Sequence, residues 1–236
     1  MAARFRAEEV YEALGLPHGG VALDFSSIST DTRNLEPGAL FVALRGEHFD
    51  GTDFVEQAQR VGAAGVVVPS SAAPPVLDIP VFHVPDTTSA LGDLARHYRR
   101  RCGARVVGVT GSSGKTTVKE MLARAIASER RVHATEGNLN NQIGLPLSIL
   151  SADEEAEVWV LELGTSEPGE IGRLTAIAEP DDAVITTVGA AHLEGLGDVR
   201  GVLEEKLDLL RGASTNGCAV VGELPEELPV RAREIR

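Results

Sequence analysis

Two rhythms of apolar and polar positions divide the chain. Over residues 1–100, short apolar runs alternate with proline-marked turns at Pro69, Pro74, Pro75, Pro80 and Pro85. Leu40–Leu44, Val66–Val68 and Val81–Val84 read as strands, and Ala7–Leu14, Phe54–Val61 and Thr87–Arg101 as helices. From Arg105 the alternation becomes strict. Strand Arg105–Thr110 leads to helix Thr116–Ser128, strand Val158–Leu163 to helix Glu170–Ile177, and strand Ala183–Thr187 to a helix within Val199–Leu210. A further strand starts at Cys218.

Nearly continuous apolar strands separated by helices predict a parallel sheet covered on both faces. The expected fold is α/β. A small N-terminal α/β domain over residues 1–102 precedes a doubly wound, mostly parallel domain over residues 103–236. The second domain looks cut short. After about four or five strands the chain ends in the polar segment ELPEELPVRAREIR, where an open nucleotide-binding sheet of this kind has roughly five or six.

Composition narrows the function. Aromatics make up 4% of the 236 residues, so the cores must be built from Val, Leu, Ile and Ala. A net charge of −13 argues against nucleic acid or an anionic membrane as partner. The run Arg96, Arg99, Arg100, Arg101 and Arg105 departs from that balance and reads as cations at a helix C-terminus. Cys102 and Cys218 have no metal-type spacing. The start, MAARFRAEEVYEAL, has no apolar signal core, and no run reaches ~18 apolar residues. A soluble, cytoplasmic, monomeric protein is expected.

The strongest chemical signal is VVGVTGSSGKTT, residues 106–117. An apolar strand ends in a glycine-rich turn that opens a helix. Such a turn lets the amides of Ser112, Ser113, Gly114 and Lys115 curl around an anion, with the helix N-terminus adding its dipole. Lys115 can reach terminal phosphates and the Thr116 hydroxyl can ligate Mg²⁺. Val109 stands where the strict G-x-x-x-x-G-K-[ST] pattern has its first glycine. Glu162 closes the strand of VWVLELGTSE, at the end where parallel sheets place ligands, and reads either as a Mg²⁺ ligand or as a solvated strand-end carboxylate. His192 follows the next strand at the same edge. Lys206, in GVLEEKLDLLRG, reads on residue type as a solvent-facing helical lysine paired with a nearby acid.

Taken together, T-G-S-S-G-K-T (110–116), E-G-N-L-N-N-Q-I-G-L-P-L (136–147), L-E-L-G (161–164) and A-H-L-E-G (191–195) resemble the Mur ligases. S-T-D-T-R (29–33) and P-G-A-L-F-V-A-L-R-G-E-H-F-D-G (37–51) resemble the family's UDP-binding domain. G-S-S-G-K-T-T and G-N-L-N-N-Q-I-G-L-P resemble the members that add D-alanyl-D-alanine to UDP-N-acetylmuramoyl-tripeptide. The resemblance implies an ATP-dependent ligase with two Mg²⁺ ions, working through an acyl phosphate in peptidoglycan precursor synthesis.

The same resemblance implies site roles. Thr110, Gly111, Ser112, Ser113, Gly114, Lys115, Thr116, Thr117 and Asn138 would bind ATP. Thr116 and Glu162 would hold the first Mg²⁺, and His192 the second, supported by Lys206 as a carbamate. Lys115, His192 and Lys206 would form the catalytic set. Thr30, Asp31, Thr32, Arg33, Gly46, His48 and Asn141 would hold the UDP-substrate. It also implies a C-terminal amine-binding domain that nothing after residue 222 resembles, so the chain alone is expected to be inactive. Three alternatives stand beside this reading: a binding module for UDP-substrate and nucleotide without turnover, another Mur ligase, and a P-loop kinase or NTPase.

Overall fold

The computed structural model describes residues 3–20, 22–46, 49–190 and 193–235. The chain forms two compact units, Met1–Tyr98 with Leu150–Ala152, and Arg99–Ile149 with Asp153–Arg236.

The first unit contains β1 (Phe5–Arg6), α1 (Ala7–Ala13), β2 (Asp24–Phe25), β3 (Ile28–Ser29), β4 (Leu40–Val42), α2 (Val55–Arg60), β5 (Gly65–Pro69), β6 (Val81–Val84) and most of α3 (Thr87–Arg101). β3, β4, β5 and β6 pair in that order, all parallel, while β1 and β2 form an antiparallel pair. Phe41, Val66 and Val68 pack with Val55 and Ala58 of α2. Gly65 is required by close packing, because a Cβ there would lie 2.8 Å from the Phe25 ring. β1, β2 and β3 span two residues each, too short for any periodicity to announce them.

The second unit contains β7 (Arg105–Thr110), α4 (Lys115–Ile126), β8 (Val132–Ala134), α5 (Gly144–Ser151), β9 (Val158–Glu162), α6 (Glu170–Ala178), β10 (Asp182–Ile185), α7 (Leu193–Leu196), α8 (Val199–Gly212), β11 (Ala219–Val221) and α9 (Glu227–Ile235). Among the described residues its sheet has five parallel strands in the order β11-β10-β7-β9-β8. The chain steps from β7 out to β8, then returns through β9 to β10 and β11. Right-handed crossovers therefore place α4 on one face and α5, α6 and α8 on the other. This is the expected doubly wound arrangement, and strand order reverses at β7, where such sheets bind ligands.

In this unit α7 and three further elements escape the sequence pattern. α5 is buried nearly throughout, so it shows no amphipathic rhythm, and Pro146 sits harmlessly in its first turn. β8 is three residues long. The polar tail folds as α9, with Leu228 and Ala232 buried one turn apart and Arg231 Nη1 2.7 Å from Glu204 Oε1 of α8.

Of the basic run, Arg99, Arg100 and Arg101 occupy the last turn of α3, while Arg96 lies a turn earlier and Arg105 opens β7. Four of these charges are also individually engaged within the second unit. Arg99 donates to the Ala178 and Glu179 carbonyls and pairs with Asp181, Arg100 with Glu179, Arg101 with Glu154, and Arg105 with Asp182. Among the described residues neither Cys102 nor Cys218 forms a disulfide. Among the described residues no helix is long and apolar enough to cross a membrane.

Candidate functional site: a phosphate-loop pocket at the carboxyl ends of the strands

β7 ends at Thr110, and the chain must then turn sharply to start α4 at Lys115. Two glycines permit this. Gly111 has φ +152, and a Cβ there would come 2.0 Å from Thr186 Oγ1; Gly114 has φ +81 and is the residue before the helix. The left-handed conformation at Gly114 is one L side chains rarely adopt. The loop is fastened from behind by the segment after β10. Ser112 N donates to the Thr187 carbonyl at 2.8 Å, Thr186 Oγ1 donates to the Ser113 carbonyl at 2.5 Å, and Ser113 Oγ and Thr187 Oγ1 share a hydrogen bond at 3.0 Å. Thr110 Oγ1 donates to Leu163 O at 2.8 Å, tying the strand end to the residue after β9.

In front of the loop lies an open pocket of about 320 Å³ lined by Gly114, Lys115, Thr116, Thr117, Gly137, Asn138, Asn140 and Glu162. Thr116 Oγ1 donates to Glu162 Oε2 at 2.9 Å, and Asn140 Nδ2 donates to Glu162 Oε1 at 2.9 Å. Glu162 is 2% exposed, so both carboxylate oxygens face polar partners at the pocket wall. Lys115 Nζ donates to Gly111 O at 2.9 Å, keeping its charge beside the loop. The first-turn amides of α4 and a lysine thus meet a hydroxyl–carboxylate pair in one cleft, an arrangement suited to an anion and a hard cation together.

Lys206 departs from the residue-type reading. It is 1% exposed, and among the described residues no carboxylate lies within ion-pair distance of its ammonium. Burial pushes its pKa down to about 8, and the Lys115 charge pushes the same way, while Glu205 opposes them. Lys206 therefore shares the electrostatic field of the phosphate loop. Beside it, Glu205 accepts from the amides of Gly169 at 2.6 Å and Ile171 at 2.7 Å, holding the start of α6.

Of the residues singled out for nucleotide, Gly114 to Thr117 and Asn138 line the pocket, as does Glu162, singled out for metal, while Thr110 to Ser113 form the turn leading into it. His192 and His48 lie outside the described residues. Thr30 to Arg33 follow the carboxyl end of β3 and Gly46 lies just past that of its neighbour β4, so both sit at one edge of the first sheet. There Asp31 is held at about 2 by hydrogen bonds from Arg33, whose guanidinium lies 2.6 Å away. Asn141 belongs to the second unit, where its Oδ1 accepts from Gly144 N at 2.8 Å and caps α5. Asn140 is the residue that sequence reasoning did not single out. Three asparagines in four positions announce a polar loop, but nothing in their spacing says which one meets Glu162.

Two protein-family models match the chain, one described as "Mur ligase family, catalytic domain" over residues 24–99 and one as "Mur ligase middle domain" over residues 109–228. The UDP-N-acetylmuramoyl-tripeptide–D-alanyl-D-alanine ligase of Bacillus subtilis is 46% identical over 84% of this chain, and that of Escherichia coli is 42% identical over 86%. The chain spans 44% of each of these relatives. Among solved structures, MurF from Acinetobacter baumannii superposes with a TM-score of 0.88 at 32% identity, over 99% of this chain and 52% of its own. MurF ligase from Thermotoga maritima, in complex with ADP, gives 0.83 at 37% identity, over 89% and 48%. Sequence agreement across both units, and a shared fold that runs through nearly every residue, make this chain a member of the Mur ligase family.

Proposed function

We propose that the chain forms the substrate- and ATP-binding part of a ligase that adds D-alanyl-D-alanine to UDP-N-acetylmuramoyl-tripeptide. In this reading residues 1–102 bind the UDP-substrate and residues 103–236 bind ATP. The observation that carries it is the Thr116–Glu162 pair beside the Lys115 loop, in a chain whose relatives carry that name.

A carboxylate is a poor acyl donor because oxide would have to leave. Transfer of the ATP γ-phosphoryl group to a carboxylate oxygen releases ADP and gives an acyl phosphate. The dipeptide amine then attacks the carbonyl, loses a proton and expels phosphate. Two anions meet in the first step, so charge neutralisation and alignment dominate the catalysis.

The donor set suits Mg²⁺: a hydroxyl and a carboxylate, both hard oxygens, already converge 2.9 Å apart. Thr116 and Glu162 would hold one ion and His192 would help hold a second. Bound there, the ions would supply neutralisation of phosphate charge. Lys115 would donate to the phosphates, and Asn138 would line their approach. Lys206, whose buried amine is partly neutral near pH 8, fits carbamylation, which converts a cation into an oxygen ligand. Thr30, Asp31, Thr32, Arg33, Gly46, His48 and Asn141 would hold the UDP-substrate.

The test is calorimetric titration of the chain with ADP plus MgCl₂ and, separately, with UDP-N-acetylmuramoyl-tripeptide. A mass-spectrometric search for amide product after adding ATP and D-alanyl-D-alanine completes it. Binding of both ligands supports the reading, and amide product extends it to turnover. A chain that binds ADP but not the UDP-substrate would overturn the substrate assignment. Binding of neither would overturn both.

Asn140→Ala gives a second check. It strips one of the two hydrogen bonds from the Glu162 carboxylate, so the Mg²⁺-dependent gain in ADP affinity is expected to fall about tenfold. An unchanged gain, read by the same titration, would remove Asn140 from the site.

A further inference from the structure

α4 has one fully buried residue, and it is charged. Lys119 is 1% exposed, although the rest of the helix is at least partly open to solvent. A methionine of similar volume would fill this position without desolvating an ammonium, so packing does not account for it.

Its partners do. Lys119 Nζ donates to the carbonyl of Thr135 and lies 3.1 Å from Glu120 Oε1. Thr135 is itself 1% exposed and is a junction of three elements. Its amide donates to Val160 O of β9 at 3.1 Å, its carbonyl accepts from Lys119 of α4, and its hydroxyl accepts from Glu162 N at 3.0 Å. The chain leaves this junction directly into the segment that brings Asn138 and Asn140 to the pocket. One turn before Lys119, the same helix sends Thr116 to the Glu162 carboxylate. α4 therefore grips Glu162 twice, once at its carboxylate and once, through Thr135, at its backbone.

We propose that Lys119 is a positioning residue: acting through Thr135, it fixes the backbone of Glu162 so that the carboxylate meets a nucleotide-bound Mg²⁺ together with Thr116. The proposal rests on the nucleotide–Mg²⁺ reading of the pocket. A lysine that merely stabilised the fold would affect binding with and without metal alike. A lysine that orients Glu162 affects the metal-dependent part alone.

The experiment titrates the whole chain with ADP, with and without MgCl₂, and records the melting temperature of each variant. Lys119→Met is expected to reduce the Mg²⁺ enhancement of ADP affinity roughly tenfold, the scale of losing a support behind a metal ligand, while leaving metal-free affinity unchanged. Thr135→Val, which loses the hydroxyl, should do the same, and Thr135→Ser, which keeps it, should not. Because both act through one junction, the double variant Lys119→Met/Thr135→Val should lose no more than either single change. Wild-type enhancement in Lys119→Met would overturn the proposal. So would a loss equal with and without Mg²⁺ and accompanied by a lower melting temperature. If Lys119→Met does not fold, the Thr135→Val and Thr135→Ser pair decides, and identical behaviour of the two overturns it. A wild-type chain without any Mg²⁺ enhancement would overturn the pocket reading itself, and this proposal with it, before any variant is compared.

Discussion

Lys115→Ala is expected to weaken ADP binding by roughly a hundredfold, the scale of truncating one partner of a hydrogen-bonded charge pair. The ammonium sits at the first position of α4, and its present partner, the Gly111 carbonyl 2.9 Å away, belongs to the loop itself. Among the described residues no carboxylate pairs with this charge, so it is held beside the pocket with its attraction directed at an incoming anion. Calorimetry on the variant checks this, and a change below about threefold would remove Lys115 from the phosphate site. The variant has a second consequence. The Lys115 charge helps hold down the Lys206 pKa, so its loss should let that pKa rise.

Lys206→Met is expected to stabilise the chain at neutral pH, by roughly 3 kcal/mol in CO₂-free buffer. The ammonium is buried, and its pKa falls from 10.5 to about 8 on folding. Below about pH 8 the amine is protonated in both states, so the burial penalty opposes folding in full. Between about 8 and 10.5 the unfolded chain binds the extra proton, and stability rises with pH. Met at this position removes that slope. Urea unfolding across pH 6 to 10 should therefore show wild type and variant converging as pH rises; a constant difference would sink the argument. With ¹³C-bicarbonate near pH 8 to 9, where much of the amine is neutral, a carbamate resonance is expected in the wild type and should be absent from Lys206→Met. A signal retained by the variant would place the carbamate elsewhere.

Lys206 also shows where the sequence was legible but not fully read. Val202, Lys206, Leu209 and Leu210 recur at helical spacing, so the lysine lies on the buried stripe of α8, among leucines that face the core. Residue type suggested solvent, and the spacing already pointed inward. β6, α3 and β7 begin and end where the apolar pattern places them: β7 is a nearly unbroken buried run, β6 buries Phe82 and Val84 around an exposed His83, and α3 buries one helical stripe. α5 stayed hidden because it is buried nearly all round, Ser148 included, so no polar stripe marks it as a helix. Asn140 and Thr135 act through hydrogen bonds that join segments more than twenty residues apart, and local pattern carries no trace of such pairings.

The clasp from Thr186 and Thr187 onto Ser112 and Ser113 also governs when the phosphate loop becomes ordered. Fixing a residue's backbone costs about 1–2 kcal/mol in entropy, and glycine loses the most. Here that loss occurs as β10 docks beside β7, before any ligand arrives. A phosphate therefore meets a loop already shaped for it, and little of its interaction energy goes into ordering the chain. The converse also holds: fraying at the carboxyl end of β10 would loosen the loop and weaken its hold on a phosphate.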